Sequence, residues 1–328
     1  MKALLLSGNY QLSLSEINTS PPGNNEVKIR VLECGICGTD THIIKGESRS
    51  TVPVVLGHEF GGVVVETGSC VDNIVPGDVV AVDPNIHCGV CHFCRSGKPN
   101  FCVNMKAIGV DLNGGMAELC TVPASQVYRV PPDFDSALLY LVEPLSCVLH
   151  GIDKIDIKPG ENVLIVGAGN IGILFALVLY NHVGKLAVLE KNMSRLQNAL
   201  SLGVKEGHED DGSVPEFDAV VEATGTAEGF LTALKSVAPG GRILQFGVVP
   251  VGLATHLYLN DIYARDISII GSYLNPYTFS RAIKLLWNRP EHFSKIRPGY
   301  FSLEDYETAF EASRTGSVPK AVFRIGEL

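Results

Sequence analysis

Val163-Leu164-Ile165-Val166-Gly167-Ala168-Gly169-Asn170-Ile171-Gly172 joins a four-residue apolar run to a G-x-G-x-x-G pattern, and the apolar stretch Ile173 to Tyr180 follows without a break. The first run is short and rich in β-branched residues, which reads as a buried strand, and the second is long enough to open a helix. In that strand-to-helix setting the first glycine permits a tight turn, the second lets backbone approach a pyrophosphate, and the third lets the helix pack on the sheet. Amides at the helix start then receive phosphate charge, so Gly167, Gly169, Asn170, Ile171 and Gly172 are the candidate dinucleotide contacts. Glu190 ends the next strand, about 20 residues on, where an acid accepts hydrogen bonds from ribose hydroxyls and repels a 2'-phosphate. NAD is therefore expected over NADP. Lys191 and Arg195 follow closely and are the groups that would hold a 2'-phosphate instead; a solvated strand-end charge is the ordinary reading of Glu190.

Outward from this point, strand and helix alternate through residues 151–278. Strands are predicted at Val163–Val166, Leu186–Glu190, Ala219–Ala223, Ile243–Gly247 and Ile267–Ile270, which predicts a Rossmann domain, a doubly wound parallel sheet with crossover helices. Between a helix ending near Leu202 and the strand at Ala219 the chain is too short for a strand plus a full crossover helix. Residues 1–150 have a different texture, with β-type runs such as Val27–Leu32, Gly62–Glu66 and Val79–Val82 between Gly, Pro and Asn turns, which reads as an irregular β-barrel. The tail, 279–328, offers a helix near Thr278–Trp287, another near Leu303–Ser313 and a strand near Lys320–Ile325, and is expected to complete the first domain. The fold class is α/β.

Composition narrows the function. The chain has 328 residues, 46% hydrophobic and 19% charged, enough for a sizeable core, and its net charge of −9 argues against a nucleic-acid surface built from clustered Lys and Arg. The apolar run at Ala3–Leu6 is too short for a signal-peptide core, and Ile173–Tyr180 is too short to span a bilayer. A soluble cytoplasmic protein with a small-molecule partner is expected, with neither nucleic acid nor membrane. All nine cysteines lie between Cys34 and Cys147, an odd count at close spacing that fits metal ligation in a reducing compartment better than a disulfide framework.

Cys88, Cys91, Cys94 and Cys102 stand as C-x2-C-x2-C-x7-C. Four thiolates at that spacing close a tetrahedral zinc site with no position left for substrate, a structural site. Buried thiols or an iron–sulfur cluster are the alternatives. His87 and His92 flank the lobe as surface residues.

A second constellation is carried by Glu33-Cys34-Gly35-Ile36-Cys37-Gly38-Thr39-Asp40-Thr41-His42 and by Gly57-His58-Glu59-Phe60-Gly61-Gly62 with Gly68 and Val71. The run G-H-E-x-x-G-x5-G-x2-V resembles the zinc signature of the medium-chain dehydrogenase/reductase superfamily, which includes alcohol, sorbitol and threonine dehydrogenases. Val75–Val80, Gly114–Glu118, the cysteine lobe and the glycine motif are similar too, so the resemblance covers nearly the whole chain. It implies a GroES-like catalytic domain and a homo-oligomer, dimer or tetramer. It also implies two zinc ions per chain, the catalytic one held by Cys37 and His58. For the third ligand it offers Glu143, where polyol-type members place a glutamate, or Glu59. Thr39 stands where the family uses a hydroxyl beside the metal, and His42 continues the proton relay.

Each residue has an ordinary reading. Glu143 before Pro144 suits a helix N-terminus, His58 a glycine-flanked turn, and Cys34 with Cys37 a thiol redox pair. The combined set points to zinc-assisted hydride transfer, in which the metal polarises a carbonyl or lowers the pKa of a bound alcohol. An oxygen-rich shell with Glu143, and hydrogen-bond partners at Glu59 and His42, favour a polyol over a simple alcohol. Threonine dehydrogenase and simple alcohol dehydrogenase are the rival enzymes, and a zinc- and nucleotide-binding thiol redox sensor is the non-enzymatic rival. Lys45 reads as a solvated lysine or as a contact for a phosphorylated polyol.

Overall fold

Asn162–Val166, β1, is a central strand of a six-stranded parallel sheet whose other members are β2 (Lys185–Leu189), β3 (Glu206–His208), β4 (Phe217–Glu222), β5 (Val237–Gln245) and β6 (Ser268–Gly271). Their order is β3-β2-β1-β4-β5-β6. Every pairing is parallel. A strand covered on both faces must be apolar throughout, and Val163, Leu164, Ile165 and Val166 are all buried. The helix Asn170–Leu179 begins directly after Gly169 and buries Ile173, Leu174, Phe175, Ala176, Leu177 and Leu179. Two further helices start on side-chain caps. Asn192 accepts from the Arg195 amide at 3.1 Å before Met193–Ser201, and Thr226 accepts from the Gly229 amide at 3.0 Å before Ala227–Ser236. Each such cap is worth about 1 kcal/mol.

This computed structural model describes residues 1–209 and 215–327. The chain forms two units, one of Cys147–Leu274 and one of Met1–Ser146 with Asn275–Leu328. The sequence predicts too little chain after Leu202 for a strand plus a full crossover helix. The segment after Leu202 does carry a strand, because β3 needs only three residues to pair Glu206, Gly207 and His208 with Ala187, Val188 and Leu189. No helix occurs among the described residues between β3 and β4; Asp210, Asp211 and Gly212 lie outside the described residues.

The other unit is organised by the strand Glu26–Gly35, which pairs antiparallel with Glu59–Thr67, with Leu119–Pro123 and with Ala321–Arg324 from the tail. Its core gathers Val27, Ile29, Val31, Phe60, Val64, Val80, Val122 and Phe323, the inward residues of alternating strands. The register sets Gly35 opposite both Glu59 and Val322. It therefore brings the Cys37 loop, the His58-Glu59 step and Lys320 to one end of the sheet. The cysteine lobe stands on a small ribbon of Asn85–Ile86 paired with Lys106–Ala107. Among the described residues no helix is long and apolar enough to cross a membrane.

Candidate active site

Cys37 caps the helix Gly38–Ile44, and its amide donates to Asp40 Oδ2 at 2.9 Å. The other Asp40 oxygen lies 3.4 Å from His58 Nδ1, so a fully buried carboxylate ties the thiol's turn to the imidazole. Ligand atoms of Cys37, His58 and Glu59 all lie within 4.8 Å of one another. Thr39 Oγ1 is 3.7 Å from Cys37 Sγ. Gly57 holds the turn before His58 at φ +97°, and a Cβ there would meet Cys34 Sγ at 2.6 Å. Only glycine fits that position.

The electrostatics suit a cation. Burial disfavours the charged imidazolium of His58, but the Asp40 carboxylate and the Cys37 thiolate outweigh it and hold the ring well above the usual histidine range. Glu59 forms an ion pair with Lys320, and both side chains are almost wholly buried. Burial likewise opposes the Lys320 charge, and Glu59 and Cys37 overcome that opposition and raise it. His58 Nδ1 thus faces Asp40, and Glu59 Oε2 faces Lys320. A soft thiolate, an imidazole and a carboxylate converging in this way match the donor set of a catalytic zinc, which keeps one position open.

Glu143 is buried at the start of the helix Val142–Ile155, with Pro144 beside it. Its donor atoms are not in the converging group, so the structure brings Cys37, His58 and Glu59 together and leaves Glu143 outside. His42 Nδ1 lies 2.7 Å from Glu47 Oε2, in the last turn of its helix, and Lys45 is exposed at the end of that helix. Cys34 is fully buried and not bonded to Cys37; burial, then Asp40 and Glu59, push its thiol well above the ordinary range. Such a thiol is a poor nucleophile, which argues against a redox pair.

Cys88, Cys91, Cys94 and Cys102 have their sulfurs within 4.8 Å of one another. The Cys94 and Val103 amides pull Cys91 down to about 6, while desolvation and the neighbouring thiols push Cys94 up to about 12. Thiols crowded so closely share protons until a cation replaces them.

In the nucleotide unit Gly167 turns at φ +100°. A Cβ on Gly172 would fall 1.9 Å from the Gly167 carbonyl, whereas one on Gly169 would meet nothing within 4 Å. The second glycine thus faces open space at a helix N-terminus, the cradle a pyrophosphate needs. Glu190 lies at the end of β2 and accepts from the Ala168 and Asn192 amides, each at 2.8 Å. Both oxygens retain lone pairs for ribose hydroxyls. Lys191 is exposed and Arg195 half-buried.

Sequence reasoning assigned no role to Asp40, Glu47 or Lys320. Asp40 stands within the quoted motif, three residues after Cys37, and that acid in the first turn of a helix was the available signal; Lys320 had none.

Residues 23–132 match the alcohol dehydrogenase GroES-like domain, and residues 167–288 match the zinc-binding dehydrogenase domain. Over 326 residues the chain is 32% identical to D-arabinitol dehydrogenase 1 of Uromyces fabae, covering 95% of this chain and 93% of that protein. The chain belongs to the zinc-dependent medium-chain dehydrogenase family. It is 31% identical to an L-threonine 3-dehydrogenase of Bacillus velezensis, with 98% of each chain covered. A solved structure described as a zinc-binding dehydrogenase from Sinorhizobium meliloti 1021, bound to NADP, shares 32% identity and a TM-score of 0.92 over 98% of each chain. This family member is accordingly an NAD(P)-linked zinc oxidoreductase acting on an alcohol. That leaves the thiol redox sensor without support.

Proposed function

We propose that this dehydrogenase oxidises a polyol, through a secondary hydroxyl of a vicinal diol, to the corresponding ketose. The observation that carries the site is the convergence of Cys37, His58 and Glu59, backed by Asp40 and Lys320. Cys37 and His58 hold the catalytic zinc, and Glu59 is the third ligand this geometry favours. Metal content of Glu59→Gln against Glu143→Gln separates the two carboxylates. When bound, zinc supplies Lewis-acid polarisation of the substrate oxygen and the nicotinamide accepts hydride. Asp40 orients His58, as carboxylates behind metal-binding histidines do. Thr39 would relay the alcohol proton, its Oγ1 accepting that proton as it releases its own toward the cofactor ribose, and His42, steadied by Glu47, would pass a proton on to solvent.

The named relative that acts on D-arabinitol supports the polyol reading. His42, partly exposed beside Glu47, offers a hydrogen-bond partner to an additional substrate hydroxyl and so also favours substrates that carry one. The named threonine dehydrogenases favour a second reading. The deciding measurement is kcat/KM across ethanol, 2-butanol, 2,3-butanediol, threonine, sorbitol, galactitol, arabinitol and a polyol phosphate. The linear polyols should lead; a lead for threonine or the monohydric alcohols overturns the assignment.

The four-cysteine cluster supports a second, structural zinc, and Glu190 supports NAD as the preferred cofactor. An assembly of at least two copies is supported by β6, an outer strand of its sheet, and by exposed Tyr258, Leu259, Tyr263 and Ile269 near it. Light-scattering mass tests it. Unbridged cysteines, four of them clustered as ligands, support a reducing, cytoplasmic setting.

A further inference from the structure

Glu222 is a buried acid that the hydride chemistry does not use. It ends β4 with no exposed surface. Its Oε1 accepts from the amides of Thr224 at 2.7 Å and Gly225 at 3.0 Å, and from the Thr224 hydroxyl. Its Oε2 accepts from Gln245 Nε2 at 2.7 Å and shares the Gly225 amide at 3.2 Å. The Glu222 carbonyl takes the amides of Phe246 at 3.1 Å and Gly247 at 2.9 Å. All of these donors are neutral, so the carboxylate is held by dipoles rather than by an opposite charge. Burying a carboxylate is costly unless its oxygens are saturated in this way, and an apolar residue would stabilise a plain sheet end at less cost.

The bonds from Glu222 join two segments, the turn Ala223–Thr226 after β4 and the loop Phe246–Val248 after β5. These touch directly, since a Cβ on Gly225 would lie 2.1 Å from the Val248 carbonyl. The turn also meets the glycine loop. The Ala223 amide donates to the Val166 carbonyl at 2.9 Å, and a Cβ on Gly167 would lie 2.8 Å from Thr224 Cγ2. In a sheet ordered β3-β2-β1-β4-β5-β6 the direction of winding reverses between β1 and β4, and a dinucleotide crosses the carboxyl ends of the strands there. Glu190 on β2 marks the adenosine side. The nicotinamide side is then the rim formed by the turns after β4 and β5, which Glu222 holds together.

We propose that Glu222 is a positioning residue for the nicotinamide half of the cofactor, fixing the β4 and β5 turns as one rigid rim through its two acceptor oxygens. The proposal rests on the dinucleotide reading of the glycine loop. Glu222→Gln keeps the shape but turns an NH2 donor toward N–H and O–H donors.

The test is binding by the zinc-loaded enzyme, with NADH titrated by fluorescence and 5'-AMP, which lacks the nicotinamide half, by calorimetry. Glu222→Gln should weaken NADH about tenfold or more, as expected for lost hydrogen bonds to a charged group, and leave AMP within about twofold. Equal weakening of both ligands, as a merely structural role predicts, or unchanged NADH binding overturns the proposal. Wild-type protein that binds neither ligand overturns the dinucleotide reading and the proposal with it. If Glu222→Gln fails to fold, Thr224→Val should weaken NADH about threefold to tenfold with AMP unchanged, and Thr224→Ser should restore it. Like behaviour of the Val and Ser variants overturns the proposal.

Discussion

Lys320→Met is the perturbation that best tests the electrostatic design of the metal centre. Methionine fills much of the same volume, so the change removes a charge from beside Glu59 with little loss of packing. Glu59 and Lys320 expose only 2% and 4% of their side chains, which leaves water little access to screen the abandoned carboxylate. Removing one partner of such a pair costs about 3–5 kcal/mol, because the remaining charge stays buried and uncompensated. Metal-free protein should show that full loss in urea unfolding. Zinc-loaded protein should lose much less, because a dication beside Cys37, His58 and Glu59 neutralises the same carboxylate. Adding Glu59→Gln to Lys320→Met should recover a large part of the metal-free loss, since removing both charges leaves none unpaired. The assay is a set of urea midpoints with and without chelator. Equal destabilisation in both metal states would refute the reasoning, because it would mean that the metal does not reach Glu59.

Three further outcomes are expected. Cys91→Ser should drop zinc content from two ions per chain to one by elemental analysis and lower the unfolding midpoint, while NADH binding, which belongs to the other unit, stays within about twofold of wild type. Glu190→Ala should move the ratio of kcat/KM for NAD over NADP toward NADP by about tenfold or more, and an unchanged ratio would remove Glu190 from cofactor selection. Burial raises the Glu33 carboxyl to about 7, with Arg324 opposing the rise. The folded chain therefore binds this proton more tightly than the unfolded chain. The stabilisation is full below the unfolded carboxylate range near 4.5 and is lost as pH rises to about 7, on the order of 3 kcal/mol at most. Glu33→Gln should flatten that part of the stability profile, as measured by urea unfolding from pH 4 to 8.

The sequence was most legible where structure is local or buried on both sides. Val163–Val166 announces itself because a central parallel strand needs every residue apolar, and the glycine pattern behind it requires no long-range knowledge. Glu206–His208 gave no such signal. An edge strand has one neighbour, and three polar or small residues in a row read as a turn until β2 supplies the partner amides and carbonyls. The strand Val237–Gln245 was seen only at its apolar end, Ile243 onward, because Pro239-Gly240-Gly241 reads as a break in any single sequence.

The site divides along the same line. Cys37 with Thr39, and His58 with Glu59, lie within short motifs, so their chemistry was visible before any fold was known. Lys320 became part of the centre only through the antiparallel pairing of Ala321–Arg324 with Glu33–Gly35, which no local pattern encodes; in the sequence it only opened the strand expected near Lys320–Ile325. That pairing also bears on the carboxylate question. Glu59 sits on the strand that meets Gly35 and receives Lys320, whereas Glu143 lies in the first turn of a helix, where the dipole suits a carboxylate. The same acidic side chain thus has a local stabilising role at one position and a non-local one at the other. Among the described residues the group that converges within 4.8 Å joins Glu59, not Glu143, to Cys37 and His58, and this is why Glu59 is the ligand to test first.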